Sequence, residues 1–451
     1  MRKLWAAFLA ICLLVSLLAG CAEQLPEGPS LNGVSLSQYA IVYDREEPDY
    51  TLRAAEYIRD QIQDRTGLAL TLLEDDEAPT DHEIVVGQTC REISGSLETP
   101  AQQDTFAITA DKNHVALEGR YFLIAAAAYY FVQTYITGND FHATFPAETT
   151  LCHPITQEAT GYIFLIGDGM GFAHTQLYEA PPMQLKRSDG YSDGETLFYG
   201  YLLPAQGKAH TGSLTGVTDS AAAATALATG YKTYNAQIGL DGDGQPVESL
   251  TELANRLGMS TAVMSTEVRT GATPSGFLAH VTDRTEKEAI LESQAVIEAA
   301  GTIINCDHDV YETGKLQELE ETVLSVIDTL SQDAEGFFLM YEEAHIDKHS
   351  HDNDLNNTFL TVVRFNRIIG AVMEYAYYHP NIFVLITADH ETGDLQVATK
   401  EFLSDTHTGQ DVPIFAHGHG SESFDGQVME NTQIPKNIAQ LWGVEDFGSD
   451  A

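Results

Sequence analysis

The sequence has few basic residues, few cysteines and one long apolar run. Lys and Arg together number 23, against 66 Asp and Glu, which gives a formal net charge of −43 at pH 7. Nucleic-acid binding depends on neutralising phosphates with Lys and Arg, so this composition excludes a nucleic-acid-binding protein. An acidic surface also repels small phosphorylated molecules unless bound cations offset the carboxylates locally. Some of the acidic residues are therefore candidate metal ligands.

The long apolar run, residues 4–18, follows Arg2 and Lys3 at the N-terminus. It is shorter than the roughly 20 apolar residues of a membrane span, and its form is typical of an export signal. It ends in Leu18-Ala19-Gly20-Cys21, which resembles a bacterial lipobox. The resemblance implies that residues 1–20 are a signal peptide and that Cys21 carries lipid, with an ordinary signal peptide as the alternative. We therefore expect an extracytoplasmic protein, lipid-anchored to a bacterial membrane.

The mature chain then contains three cysteines: Cys90, Cys152 and Cys306. Three scattered thiols do not form a disulfide framework, although an exported protein could still pair two of them. They also leave no cysteine cluster for a structural zinc site.

Residues 38–144, after a linker at residues 21–37, predict a small α+β domain. The pattern indicates strands at 39–43, 68–73 and 83–87, a helix ended by Gly67, a hairpin at 104–119 and a buried helix at 121–136. This order resembles the N-terminal accessory domain of hexosaminidases. A structural cap without a ligand is the alternative interpretation.

Residues 160–445 predict a catalytic domain of a different class. Strands at 162–167, 261–265, 337–341 and 382–387 alternate with helical patterns such as 220–229 and 355–378. Alternation of this kind predicts an α/β fold with a mostly parallel central sheet and helices on both faces.

Carboxylates and histidines follow the predicted strands of this domain, where α/β sheets bind their ligands. Asp347 and His351 are four residues apart, so on a helical turn they share one face. Asp, Glu and His are ligands that suit Zn²⁺ and Mg²⁺. The candidate ligands are Asp168, Glu342, Asp347, His351, Asp389, His390 and His407.

Ser220 opens an alanine-rich helix that Gly230 ends. In the structural interpretation, Asp219 or Ser220 simply caps the helix. In the functional interpretation, a serine at the positive end of a helix can attack phosphorus while the amides of the first turn hold the anionic oxygens. The two interpretations are compatible.

The Asp219-Ser220-Ala221 run and the Thr-Ala-Asp-His-Glu-Thr-Gly segment at 387–393 are specific motifs. With them, residues 162–443 resemble the alkaline phosphatase family, whose segments occur in the same order. The resemblance implies hydrolysis of phosphate monoesters through a phosphoserine on Ser220, with two zinc ions and one magnesium ion.

The resemblance also implies the role of each ligand. One zinc ion is held by Asp347, His351 and His407, and the other by Asp168, Asp389 and His390. The magnesium ion is held by Asp168, Thr273 and Glu342. Arg284, at the family's spacing after Thr273, binds the phosphate, and Lys348 contacts it through water, as in some bacterial members.

Two departures from the family pattern are present. Gly271 stands where relatives often have Asp or His around the third metal, which puts magnesium affinity in doubt. Residues 391–406 are too few for the crown subdomain of many relatives, so the resemblance does not imply dimerisation through that surface, and the oligomeric state is left open. Four other histidines match no family metal position and are predicted to be structural or exposed: His345, His349, His417 and His419.

Three alternative functions compete with a lipid-anchored alkaline phosphatase. A phosphodiesterase of the same superfamily usually lacks the Asp-Ser-Ala run. A sulfatase places its nucleophile in a different motif. A surface-anchored carbohydrate-binding protein is suggested by the N-terminal domain, but the complete ligand set argues against it.

Overall fold

The computed structural model describes residues 26–47, 49–96, 100, 103–146, 148–179, 181–182, 196–306 and 316–449. These residues form two compact units. The first comprises the described residues up to 96, Phe106–Gly119 and Ala127–Cys152; the second comprises residues 100 and 103–105, Arg120–Ala126 and the described residues from His153 onward. The predicted signal peptide and Cys21 lie outside the described residues. Within the described ranges, none of the helices is both long and apolar enough to cross a membrane.

The first unit is built on a six-stranded sheet and a small three-stranded one. Its strands are β1 Ser30–Leu31, β2 Val34–Ser35, β3 Ala40–Tyr43, β4 Leu72–Glu74, β5 Glu83–Val86, β6 Phe106–Ala110, β7 His114–Gly119, β8 His142–Ala143 and β9 Thr150–Cys152. The larger sheet has the order β4-β3-β5-β7-β6-β9, in which β6 is antiparallel to both neighbours. The smaller has the order β2-β1-β8, so β1 and β2 occupy part of the stretch predicted to be a linker.

The helices of this region follow from their apolar spacing. Helix α1, Asp49–Thr66, buries Ala55, Ile58 and Ile62 on one face. It ends at Gly67, whose φ of 76° suits glycine and whose N–H donates to the Gln63 carbonyl at 2.8 Å. Helix α2, Leu123–Tyr135, begins in the residues of the second unit and ends in those of the first.

The second unit contains an eight-stranded sheet of order β13-β12-β14-β10-β15-β20-β11-β21. Of these strands, only β20 runs against the others. The predicted α/β class with a mostly parallel sheet is therefore confirmed. The strands of the unit are β10 Gly161–Gly167, β11 Ala205–His210, β12 Ser260–Ser265, β13 Ile303–Asn305, β14 Phe337–Glu343, β15 Ile382–Thr387, β16 Glu391–Thr392, β17 Leu395–Gln396, β18 Glu401–Phe402, β19 His407–Thr408, β20 Val412–His417 and β21 Val428–Glu430.

Helices of the second unit pack around this sheet. They are α3 Phe172–Gln176, α4 Ser220–Thr229, α5 Leu250–Arg256, α6 Ala272–Leu278, α7 Lys287–Ala299, α8 Leu316–Leu330, α9 His345–His351, α10 Leu355–Tyr378 and α11 Gln433–Leu441. Helix α4 packs so closely on α6 that a Cβ at Gly276 would lie only 2.6 Å from the Cβ of Ala224. Small residues at this contact bring Ser220 and Thr273, one on each helix, into the same region.

The register of the central strands aligns their carboxyl ends. Glu342 on β14 lies beside Ile166 on β10 and Ser265 on β12, and Ile166 lies beside Thr387 on β15. The residues that follow these four strands therefore emerge at one edge of the sheet, as parallel strands require.

Candidate active site

Ser220 is the first residue of helix α4 and is 4% exposed. Asp219 caps the helix, since its Oδ1 accepts the Ala222 N–H at 3.0 Å. The Ser220 hydroxyl oxygen lies 3.2 Å from Nε2 of His390, which follows strand β15. The helix thus holds the candidate nucleophile at the edge of the sheet, against a candidate metal ligand.

Three predicted ligands form the first cluster. Asp347, His351 and His407 have ligand atoms that all lie within 4.8 Å of one another. The two Nε2 atoms of the histidines are 3.1 Å apart, and His351 Nε2 is 3.3 Å from Asp347 Oδ2. Helix α9 supplies Asp347 and His351 from one face, as their spacing predicts. We call Asp347, His351 and His407 the histidine cluster.

The outer nitrogens of both histidines are held by backbone carbonyls. His351 Nδ1 lies 2.6 Å from the Asp405 oxygen, and His407 Nδ1 lies 3.0 Å from the Thr218 oxygen. A carbonyl can only accept, so each Nδ1 carries a proton, and a neutral ring then presents its Nε2 lone pair to the cluster. This arrangement is typical of histidines that bind metal.

A second cluster consists of Asp168, Asp347 and His390, again within 4.8 Å by ligand atoms. His390 Nε2 is 3.6 Å from Asp168 Oδ1 and 3.1 Å from Oδ2 of Asp389. Backbone N–H groups of Gly169 and His390 donate to Asp389 Oδ1 at 3.0 and 2.8 Å. Asp347 contributes to both clusters, which therefore adjoin.

The oxygens that point into this second cluster lack protein donors. Asp168 Oδ1 and Asp389 Oδ2 are buried and have no hydrogen-bond partner. Burial, then repulsion from neighbouring carboxylates, raises the pKa of Asp168 well above its ordinary value, and burial raises that of Asp389 to about 6. A buried carboxylate oxygen without a donor is costly unless it coordinates a metal. The residues therefore fit a bound cation.

The histidine cluster differs in charge balance. In the metal-free protein, burial alone would raise the pKa of Asp347, but hydrogen bonds from the protonated rings of His351 and His407 outweigh it and hold that pKa well below its ordinary range. The hydrogen bond to Asp347 raises the pKa of His351 to about 9. Asp347 also accepts a hydrogen bond from the Thr392 hydroxyl, which fixes one carboxylate oxygen.

Like Asp389, which adjoins His390, the predicted ligands Thr273 and Glu342 belong to neither cluster. Both are buried, and the Ser265 hydroxyl donates to Glu342 Oε2. Burial raises the pKa of Glu342 to about 7, while the hydrogen bond from Ser265 opposes the rise. Repulsion from Glu342 is among the causes that raise the pKa of Asp168. An all-oxygen set of this kind suits Mg²⁺.

Arg284 and Lys348, the predicted phosphate-binding cations, are each paired with a carboxylate. Arg284 Nη1 lies 3.3 Å from Asp219 Oδ2, which also accepts the Ala236 N–H at 3.0 Å. Asp219 therefore joins the nucleophile's helix to the candidate phosphate-binding arginine. Lys348 forms an ion pair with Glu267, a residue that the sequence did not single out.

The four other histidines lie outside both clusters, as the sequence predicts. His345 and His417 are buried, His349 is partly buried and His419 is exposed. His345 contacts a second ion pair that the sequence missed, between Glu343 and Arg364. No sequence motif marks Arg364, which lies on helix α10.

Comparison with known proteins supplies the family. The sequence model of the alkaline phosphatase family matches residues 159–310 and 305–403, which is more than half of the chain. The chain belongs to the alkaline phosphatase family. Residues 26–158 precede the match, and the resemblance of the N-terminal region to a hexosaminidase accessory domain stays a prediction.

Individual alkaline phosphatases are similar at modest identity. Alkaline phosphatase 3 of Bacillus subtilis is 25% identical over 62% of this chain and 88% of its own length. The streptomycin-6-phosphate phosphatase of Streptomyces griseus is 25% identical over 62% of this chain and 85% of its own. The solved alkaline phosphatase of the Antarctic bacterium TAB5 is 25% identical, with a TM-score of 0.55 over 63% of this chain and 98% of that one.

The fold extends to more distant members. The Thermus thermophilus alkaline phosphatase is 18% identical, and its structure superposes with a TM-score of 0.53 over 64% of this chain and 93% of that one. This likeness supports the mostly parallel α/β sheet.

Proposed function

We propose that this protein hydrolyses phosphate monoesters to an alcohol and inorganic phosphate, through a phosphoserine formed on Ser220. The observation that carries the proposal is the position of the Ser220 hydroxyl. It is buried at the N-terminus of a helix, 3.2 Å from a histidine of one metal-ligand cluster, and that cluster shares Asp347 with the other. Membership of the alkaline phosphatase family supports the reaction class.

The metal ions in this proposal are two zinc and one magnesium. Asp347, His351 and His407 would hold one zinc ion, and Asp168, Asp389 and His390 the other. Asp168, Thr273 and Glu342 would hold magnesium. When bound, these cations supply positive charge that stabilises the attacking and leaving oxygens of an in-line phosphoryl transfer.

The chain's own residues perform the covalent steps. The Ser220 oxygen loses its hydroxyl proton as it attacks phosphorus, and the bond from phosphorus to the leaving alcohol oxygen breaks as that oxygen gains a proton, so the step takes up no net proton. Arg284 can bind two phosphate oxygens through its planar guanidinium, and Asp219 holds it beside the nucleophile. Water then attacks the phosphoserine, which releases phosphate and restores the Ser220 hydroxyl.

Ser220→Ala tests the nucleophile. It removes the group that forms the covalent bond, so we expect kcat to fall by several orders of magnitude while the protein stays folded and keeps its metals. Turnover of a chromogenic monoester and elemental analysis on the same preparation measure both. Near wild-type turnover in the variant would overturn the assignment.

A kinetic panel separates the competing reactions. We expect the metal-loaded protein to prefer monoesters over diesters and sulfate esters. A preference for diesters would favour the phosphodiesterase alternative. Binding of the protein to a glycan array without turnover of any ester would favour the carbohydrate-binding alternative.

The proposal includes a lipid anchor at Cys21 and an extracytoplasmic location, which rest on the sequence. Cys21→Ser removes the sulfur that a thioether needs. In detergent phase separation we expect the natural protein in the detergent phase and the variant in the aqueous phase. Recovery of both in the aqueous phase would contradict the anchor.

A further inference from the structure

Gly271 caps helix α6 although its backbone does not require glycine. Its φ of −58° and ψ of 158° are open to every residue type. A Cβ at this position would lie 2.5 Å from Cγ of Glu267 and 3.0 Å from the Val268 carbonyl oxygen. The space that a side chain at 271 would enter is therefore taken by the Glu267 side chain.

Both carboxylate oxygens of Glu267 are engaged. Oε1 accepts the Val268 N–H at 2.9 Å, and Oε2 forms the ion pair with Lys348. The Glu267 N–H donates to the Ser265 hydroxyl oxygen at 2.9 Å. These contacts hold the carboxylate in one place at the end of strand β12.

The same contacts connect Glu267 with both sides of the site. Ser265 donates to Glu342, a predicted magnesium ligand, and the negative charge of Glu267 is among the causes that raise the pKa of Glu342. Lys348 follows Asp347 on helix α9. Glu267 thus lies between Glu342, a predicted magnesium ligand, and Lys348, which is predicted to contact phosphate.

An ordinary surface ion pair is the competing explanation, and such pairs contribute little. The side chains of an ordinary surface pair extend into solvent, so such a pair would not require glycine at position 271. Here the Glu267 side chain is only 23% exposed, carries a backbone hydrogen bond and fills the space beside Gly271.

We propose that Glu267 is a positioning residue of the site, which occupies the space left by Gly271, orients Lys348 toward the phosphate and adds a carboxylate beside the magnesium ligands. The proposal rests on the proposed function. Gly271 stands where many relatives have an Asp or His beside the third metal. The proposal assigns the support of that metal to Glu267 instead.

Metal binding without substrate tests the magnesium side. We expect Glu267→Gln, which keeps the shape and removes the charge, to weaken Mg²⁺ binding to the zinc-loaded protein about 10- to 100-fold, as loss of a group that supports metal ligands does. Calorimetric titration of Mg²⁺ measures this, and elemental analysis should show unchanged zinc. Glu248→Gln, which breaks the exposed pair with Arg256, is the matched control. Affinity within twofold of the natural protein would overturn this part of the proposal.

Inorganic phosphate tests the Lys348 side. We expect Glu267→Gln and Lys348→Ala each to weaken phosphate binding, and the double variant to be no weaker than Lys348→Ala alone, because Glu267 acts through the lysine. Fully additive losses would show that the two residues act independently. Circular dichroism and metal content, measured on each variant, identify any loss of phosphate binding that is caused by misfolding. Glu267→Asp keeps the negative charge, so we expect this variant to fold normally.

The space beside Gly271 gives an independent test. Gly271→Ala should displace Glu267 and weaken Mg²⁺ binding, whereas the same change in a Glu267→Ala background should add less, because the Cγ atom at 2.5 Å is gone and the Val268 carbonyl oxygen at 3.0 Å is the tightest contact left. Equal effects in both backgrounds would contradict the proposed coupling. These measurements use Mg²⁺ and phosphate without turnover, so they stand apart from any failure of the monoesterase assignment.

Discussion

Glu342 and Glu343 end the same strand and are equally buried, but their surroundings differ. Successive residues on a strand point to opposite faces of the sheet. Glu343 meets Arg364, whose Nε donates to it at 2.6 Å and whose Nη2 donates to the other oxygen. Glu342 accepts a hydrogen bond from the Ser265 hydroxyl, and the negative charges of Asp389 and Glu267 act on it.

The pKa values show the consequence of this difference. Burial would raise the pKa of Glu343, but the Arg364 charge outweighs it and lowers that pKa to about 2. Burial raises the pKa of Glu342 to about 7 with no cationic side chain among the causes. A buried carboxylate with its own cation is compensated within the protein, and one left among carboxylates is suited to an external cation. The comparison distinguishes, within one dipeptide, an acid paired inside the protein from a candidate metal ligand.

The largest expected effect comes from breaking the Glu343 side. Arg364→Met leaves Glu343 charged and buried, so we expect the free energy of unfolding to fall by about 3–5 kcal/mol, measured by urea denaturation. Arg364→Met with Glu343→Gln should lose less, because no unpaired charge remains. A single variant as stable as the natural protein would contradict the structural role.

Glu342→Gln should have a different effect. We expect it to weaken Mg²⁺ binding at least tenfold, since it replaces a charged ligand with a neutral one. Stability of the metal-free protein should be unchanged or higher, because the substitution relieves repulsion among carboxylates. Calorimetric titration and denaturation in chelator measure the two quantities. If Glu342→Gln left the Mg²⁺ affinity intact and caused a large loss of stability, Glu342 would be a structural residue and not a metal ligand.

In the metal-free protein, the two glutamates should change the free energy of unfolding in opposite directions as pH rises. Glu343 has a folded pKa of about 2 against an ordinary value of 4.5, so its stabilisation is present above pH 4.5 and is lost as pH falls toward 2. Glu342 has a folded pKa of about 7, so the folded state loses stability as pH rises from 4.5 to 7, by at most about 1.4 kcal/mol per pH unit. Denaturation across this range should show a shallower decline above pH 4.5 in Glu342→Gln. An unchanged profile would contradict the raised pKa.

The smallest effect is expected for an exposed glutamate. Glu248 pairs with Arg256 on the surface, so Glu248→Gln should change stability by less than about 1 kcal/mol and leave Mg²⁺ binding unchanged. A larger loss would show that burial is not what distinguishes these glutamates.

The sequence predicted much of this architecture because apolar periodicity and strand ends are local signals. The helices at 220–229 and 355–378 and the strand at 382–387 agree with the observed bounds. Strand β20 was missed because Pro413 argues against a strand, and β11 because Gln206, Gly207 and Lys208 break its apolar pattern.

The site shows the same limit. Metal-ligand candidates follow strands and match family motifs, so the sequence could name them. Glu267 and Arg364 form ion pairs with residues that are distant in the chain, Lys348 and Glu343, and no spacing rule predicts such pairs. The surroundings of Glu342 and Glu343 likewise depend on which side chains lie on each face of the sheet, Ser265 beside Glu342 and Arg364 beside Glu343.

The most direct test of the account is to trap the phosphoserine. Metal-loaded protein is mixed with a monoester, quenched in acid and digested, and its peptides are analysed by mass spectrometry, with Ser220→Ala as the control. The account predicts one added phosphoryl group on the peptide that contains Ser220 and none in the variant. Rapid turnover with no phosphorylated Ser220 peptide, or with the phosphoryl group on another residue, would contradict it.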